Sequence, residues 1–193
     1  MRVGAAIIAL WIGFAASWLI AAVWSKPVEK SIGARGEIAF RLVLIVGGLV
    51  SLVPAHAYYG PLRLWLVTRD EAWAGAALIG CGFAFAWWAR IQLGALWSGR
   101  ITTKTDHCVI ETGPYAVVRH PIYTGILLAV YATAAVKGTV FGLAGALLIT
   151  LGLWMKARIE EHWLADELGR SAYDDYRRRV PMLLPFGPKA KTG

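Results

Sequence analysis

Five apolar stretches alternate with polar, mostly basic segments along the chain. The first, Gly4 to Trp24, has no charged residue and exceeds the roughly 20 residues a helix needs to cross hydrocarbon. It is too long for the apolar region of a signal peptide, and no small-x-small site precedes Lys26-Pro27, so it is expected to be an uncleaved span. The second runs from about Ile38 to Tyr58, with Arg41 near its start, where a long side chain can snorkel to the interface. Pro54, His56 and the turn Tyr58-Tyr59-Gly60-Pro61 close it. The third covers Ala72 to Trp88 and ends at Arg90. Two shorter runs, Ile122 to Val136 and Val140 to Met155, are separated by Lys137-Gly138 and lie near the lower limit for a span. They predict a tight helical hairpin, crossing or re-entrant. The pattern as a whole predicts an all-α membrane protein with about five transmembrane helices.

The polar segments predict where chemistry sits. Gln92 to Glu111 is polar enough to leave the bilayer. Lys156 to Gly193 reads as a charged, amphipathic tail, with Trp163, Leu164 and Leu168 on one helical face and then Tyr173 and Tyr176. With five spans, sixteen of the twenty basic residues fall on one side and only Arg2, Arg63, Arg69 and Lys137 on the other. The positive-inside rule then places the N-terminus outside and the third loop and C-terminus in the cytoplasm. A single transmembrane domain, residues 1–193, is expected: a three-helix part at 1–96, a cofactor-binding half at 97–185 and a flexible tail at 186–193.

Composition agrees. The hydrophobic class reaches 58% and the charged class only 17%, with a mean hydropathy of +0.54, against about 45–50% and about 25% in soluble domains. The net charge of +8 would suggest nucleic acid in a soluble protein. Here the basic residues lie between and after apolar runs, as membrane loops require, so no nucleic-acid partner is expected. Cys81 and Cys108 form no CxxC, and the four histidines make no HExxH, so neither a disulfide framework nor a metal site is expected.

Two polar blocks carry the candidate chemistry. The first is Gly113-Pro114-Tyr115, followed by Arg119-His120-Pro121-Ile122-Tyr123-x-Gly125. Pro121 sets a helix start, where unpaired N–H groups attract anions and Arg119 adds a fixed charge. Tyr115 and Tyr123 can flank a flat ring or a cationic sulfonium. The second block is Glu160-Glu161-His162-Trp163-Leu164, then Gly169, Tyr173, Tyr176 and Val180-Pro181. Two adjacent acids stand out at a face full of Lys and Arg. Either could hold a hydroxyl or a cation near the membrane, or simply pair with Lys156 or Arg158 one turn away.

Together the two blocks resemble the isoprenylcysteine carboxyl methyltransferase and phospholipid methyltransferase group of membrane enzymes. The resemblance rests on His107-Cys108-Val109-Ile110, Gly113-x-Tyr115, Arg119 to Gly125, Glu160-Glu161-x-x-Leu164, Tyr173-x-x-Tyr176 and Val180-Pro181, and covers about Trp97 to Pro185. It implies an S-adenosylmethionine site, with S-adenosylhomocysteine as product. The third loop and the C-terminal tail would form its cytoplasmic pocket. By position, His107, Cys108 (through its backbone), Val109, Ile110 and Tyr115 would line the adenosine side. His120, Pro121, Ile122 and Tyr123 would continue the pocket, and Glu160 would contact the cofactor. Arg119 and Glu160 are the catalytic candidates. Lys156, or Arg158 as an equally placed competitor, matches the family's basic side chain for the substrate carboxylate.

The expected reaction is methyl transfer to a lipophilic acceptor, foremost an isoprenylcysteine-like carboxylate, with membrane lipid and the lipophilic substrate as partners. A carboxylate needs only a cation to position it. A phospholipid amine or small thiol is the alternative acceptor and would call on Glu160 or Glu161 as base. Two further classes stand against this reading. A sterol-reductase-like protein using reduced nicotinamide would need a longer chain with more spans. A membrane scaffold without activity would carry the motifs by chance.

Overall fold

A computed structural model describes residues 2–24, 30–31, 33–54, 61–94, 102–103, 110–168 and 170–188. Six helices make up nearly all of it: α1 Val3–Ala21, α2 Gly33–Leu52, α3 Arg69–Leu93, α4 Pro121–Lys137, α5 Val140–Leu168 and α6 Arg170–Arg179. A two-residue antiparallel pair, β1 Lys30–Ser31 with β2 Thr102–Thr103, joins two of the connections.

Local chemistry sets the helix ends. A capping box starts α3: Glu71 N–H donates to Thr68 Oγ1 at 3.3 Å, and Thr68 N–H donates back to Glu71 Oε2 at 2.8 Å. Pro121 opens α4 at a position where its missing N–H costs nothing. Gly138 ends α4 in the left-handed conformation, φ 59°, and a Cβ there would lie 2.5 Å from Trp65 O. The hairpin expected at Lys137-Gly138 is therefore present. Its second arm is longer than its apolar run: α5 continues through Lys156 and the acidic pair to Leu168 instead of breaking into a separate tail.

Helix direction follows from which residues meet. Trp11 packs on Phe83 and Trp18 on Trp87, and Arg90 donates to Ala21 O at 2.8 Å, so α1 and α3 run parallel. On α4, Gly125 and Ala129 face Gly82, and Val136 faces Gly75, so α4 is antiparallel to α3. A Cβ at Gly82 would fall 2.5 Å from Gly125 O, so the close approach requires glycine there. Antiparallel packing also joins α2 to α5, where Leu44 meets Gly152 and Gly47 meets Ile149. One end of the bundle thus gathers the C-termini of α1 and α3, the first turns of α2 and α4, and the second half of α5. The opposite end is closed by Leu64 N–H donating to Gly138 O at 2.8 Å and Val140 N–H to Leu62 O at 3.0 Å. There, too, Lys137 Nζ donates to Val53 O at 2.9 Å and to Ser51 O.

The number of spans departs from the expected five. Among the described residues three helices are long and apolar enough to cross a membrane: Val3–Ala21, Arg69–Leu93 and Val140–Asp166. The physical reasons are specific. Helix α2 carries Arg35, Glu37 and Arg41 in its first turns, and Glu37 is fully buried and paired with Arg41. Helix α4 has 17 residues, short of the roughly 20 a span needs. The end of the second apolar run, residues 55–58, lies outside the described residues. The outward faces of α1 and α5 are apolar, with Ile8, Ile12, Leu19, Leu147 and Leu151 exposed, as lipid contact requires. The protein is an integral, multi-pass membrane protein.

Candidate functional site

Both polar blocks converge at the end of the bundle where α4 begins. A 3-10 turn, Gly113–Ala116, buries Pro114 and Tyr115, and Tyr115 packs with Ala89 and Ile122, flanked by Ile110, Trp18 and Tyr123. Just before α4, Arg119 N–H donates to Pro181 O at 2.9 Å and His120 N–H to Met182 O at 3.1 Å. Thr124 Oγ1 adds a bond to Leu183 O at 2.6 Å. The segment after α6 is thus strapped along the start of α4. It, and not an anion, takes the N–H groups of Arg119 and His120.

Beneath the strap lies a buried ion pair. Arg119 Nε donates to Glu161 Oε1 at 2.6 Å, and its NH1 donates to Arg177 O at 3.0 Å and to Val180 O. Arg177 Nε lies 3.4 Å from Glu161 Oε2. Arg119 is therefore a clamp between α5 and the strap, with its Nε and NH1 donors committed to protein acceptors. Tyr176 OH closes the same region by donating to Tyr115 O at 2.7 Å. Burial pushes the phenols of Tyr115, Tyr173 and Tyr176 well above their ordinary range, so they stay neutral and able to donate.

Glu160 faces differently, because neighbouring residues on a helix point about 100° apart. Its carboxylate accepts from Tyr123 OH at 2.8 and 2.7 Å. His120 bridges the two acids, Nε2 at 3.3 Å from Glu161 Oε1 and Nδ1 at 3.6 Å from Glu160 Oε2. The His120 and Tyr123 rings are parallel, centroids 5.3 Å apart. Lys156 Nζ lies 3.6 Å from Glu160 Oε1 and approaches the Tyr123 and Phe40 rings at 5.4 and 5.9 Å.

Of the residues singled out in the sequence, Tyr115, Arg119, His120, Pro121, Ile122, Tyr123, Lys156 and Glu160 fall in this region, with Ile110 beside Tyr115. His107, Cys108 and Val109 lie outside the described residues. Lys156 and Arg158 separate: Lys156 joins the Glu160 cluster, whereas Arg158 is exposed over the Trp154 ring at 5.9 Å. Sequence reasoning gave Arg177 and Phe40 no role. Arg177 read as one of three consecutive basic residues, and Phe40 sits in an apolar run with no motif around it.

Comparison with known proteins bears on this region. The family model described as phospholipid methyltransferase matches residues 71–171, from the start of α3 into α6. A nickel-cobalt-cadmium resistance protein of Alcaligenes xylosoxydans xylosoxydans is 28% identical over 167 residues, 83% of this chain and 69% of that protein. The protein-S-isoprenylcysteine O-methyltransferase of Schizosaccharomyces pombe is 33% identical over 106 residues, 52% of this chain and 43% of the relative. A methanethiol S-methyltransferase of Bradyrhizobium diazoefficiens is 45% identical over 73 residues, 37% of this chain and 26% of the relative. The chain therefore spans less than half the length of these last two relatives.

Proposed function

The chain belongs to the phospholipid methyltransferase family of S-adenosylmethionine-dependent enzymes, and from that membership we propose that it methylates the carboxylate of a lipophilic, isoprenylcysteine-like acceptor. One observation carries the reading: Tyr123 of the Arg119–Gly125 block donates to both oxygens of Glu160. That contact joins two motifs 37 positions apart in one polar site.

The residues present fit the cofactor. Glu160 supplies a carboxylate for a cation or hydroxyl, His120 and Tyr123 supply parallel ring faces, and Ile110, Tyr115 and Ile122 supply an apolar wall. S-adenosylmethionine brings a methyl group on a cationic sulfur, so an aligned nucleophile in a water-poor setting suffices. The chain's part is to bind and orient. Glu160, His120 and Tyr123 hold the cofactor, with His107, Cys108 and Val109 assigned to its adenosine side by family resemblance. Arg119 acts as a positioning residue, locking α4 to α5 and the strap. Lys156, within the site, supplies the cation that orients an acceptor carboxylate, a role Arg158 is less well placed to fill. A carboxylate is already ionised and needs no base.

A small thiol is the second reading. It is favoured by the 45% identity to the methanethiol S-methyltransferase. Incubating the purified protein with methyl-labelled cofactor and a panel of prenylcysteines, phospholipid amines and small thiols tests both. Label recovered as a base-labile ester on prenylcysteine is the expected result. Label only in thioether would shift the assignment to thiols, and label in no acceptor would overturn the reading.

The site is proposed to face the cytoplasm. Arg119, Lys156, Arg158, Arg177, Arg178 and Arg179 cluster at its end of the bundle, whereas Arg63, Arg69 and Lys137 lie toward the other. In a cysteine-free background, a cysteine at position 63 should react with an impermeant maleimide in intact cells. One at position 186 should react only after permeabilisation. The reverse pattern would invert the topology.

A further inference from the structure

The Lys156 ammonium has three neighbours of a particular kind. Glu160 Oε1 is 3.6 Å away, and the Tyr123 and Phe40 ring centroids are at 5.4 and 5.9 Å. A carboxylate with two aromatic faces is a seat for a cation. Phe40 is delivered by the antiparallel register that pairs Leu44 with Gly152 and Gly47 with Ile149. It lies outside residues 71–171, the part matched to the family. Phe40 is buried, and the Lys156 side chain is only 12% exposed, so the seat is shielded enough for charge to matter.

We propose that Phe40, Tyr123 and Glu160 form a single cation seat that Lys156 occupies in alternation with the sulfonium of S-adenosylmethionine. The inference rests on the cofactor assignment above. Two positive charges do not share one carboxylate and one pair of rings, so Lys156 must leave when the sulfonium takes the seat. Lys156 sits on a four-carbon stem with rotatable bonds and can swing aside without moving α5. An acceptor carboxylate gives it somewhere to go. Transfer breaks the S–CH3 bond with its electron pair left on sulfur and forms an O–CH3 bond at the carboxylate, with no proton moved. Both charges disappear together, and Lys156 regains the seat as two neutral products lose their hold.

The test compares cationic S-adenosylmethionine with neutral S-adenosylhomocysteine by calorimetry on the full chain in detergent. Neutral replacements K156M and K156Q should lower the ratio of the two dissociation constants, cofactor over product, by about tenfold. K156R, which keeps the charge, should leave the ratio near that of the unmodified protein. Two neutral side chains of different shape guard against one failing to fold. An unchanged or increased ratio in the neutral variants, with the unmodified protein binding both ligands, would overturn the shared seat and leave the methyltransferase reading standing. If the unmodified protein bound neither ligand, that reading would fall and the seat with it.

Discussion

Glu160→Ala is expected to weaken S-adenosylmethionine binding by about a hundredfold while leaving the protein folded. The carboxylate is the acidic group of the cluster formed with Tyr123, His120 and Lys156. Its loss removes the charge that a cationic ligand would meet and frees the Tyr123 hydroxyl. Tyr123→Phe removes only the donor that orients that carboxylate, so a severalfold loss is expected there. Calorimetry in detergent reads both, with thermal unfolding measured alongside. Unchanged affinity in Glu160→Ala would dismiss the assignment of Glu160 to the cofactor.

The neighbouring substitution should behave in the opposite way. Glu161→Ala leaves the Arg119 guanidinium buried without its carboxylate, and removing one partner of a buried pair costs about 3–5 kcal/mol. The unfolding midpoint should fall by about 10 °C, with cofactor affinity of the remaining folded protein changed only modestly. Arg119→Met combined with Glu161→Leu should recover part of the loss, since the buried Arg119 charge is then gone and Arg177, the second cation on Glu161, keeps Asp174 as a partner. A stable Glu161→Ala protein that has lost cofactor binding would mean that Glu161 serves the ligand and not the clamp.

Both motif blocks were legible before the fold, because Arg-His-Pro-x-Tyr and Glu-Glu are chemically conspicuous beside apolar runs. That they meet depends on α4 and α5 forming a hairpin, which the Lys137-Gly138 break already signalled. The different duties of Glu160 and Glu161 were not legible. They follow from helical rotation and from the strap's carbonyls, and backbone acceptors leave no mark on a sequence. Span count failed for a related reason. An apolar run of limited length reads the same whether lipid or other helices surround it, and the burial of Glu37, paired with a half-exposed Arg41, becomes visible only when α2 is seen packed. Phe40 had no signal at all, since a phenylalanine in an apolar run looks like packing until a cation is found beside its ring.

The strap across the start of α4 also has a consequence for biogenesis. Arg119 finds its carbonyl partners at Arg177, Val180 and Pro181, about sixty positions after Arg119 and beyond the end of α5. Until that stretch of chain is made, the guanidinium lacks these acceptors whatever helices are already in place. The clamp can therefore close only after α6 has been made. A chain stopped after α5 would keep Glu161 for Arg119 but lose the strap that completes the clamp.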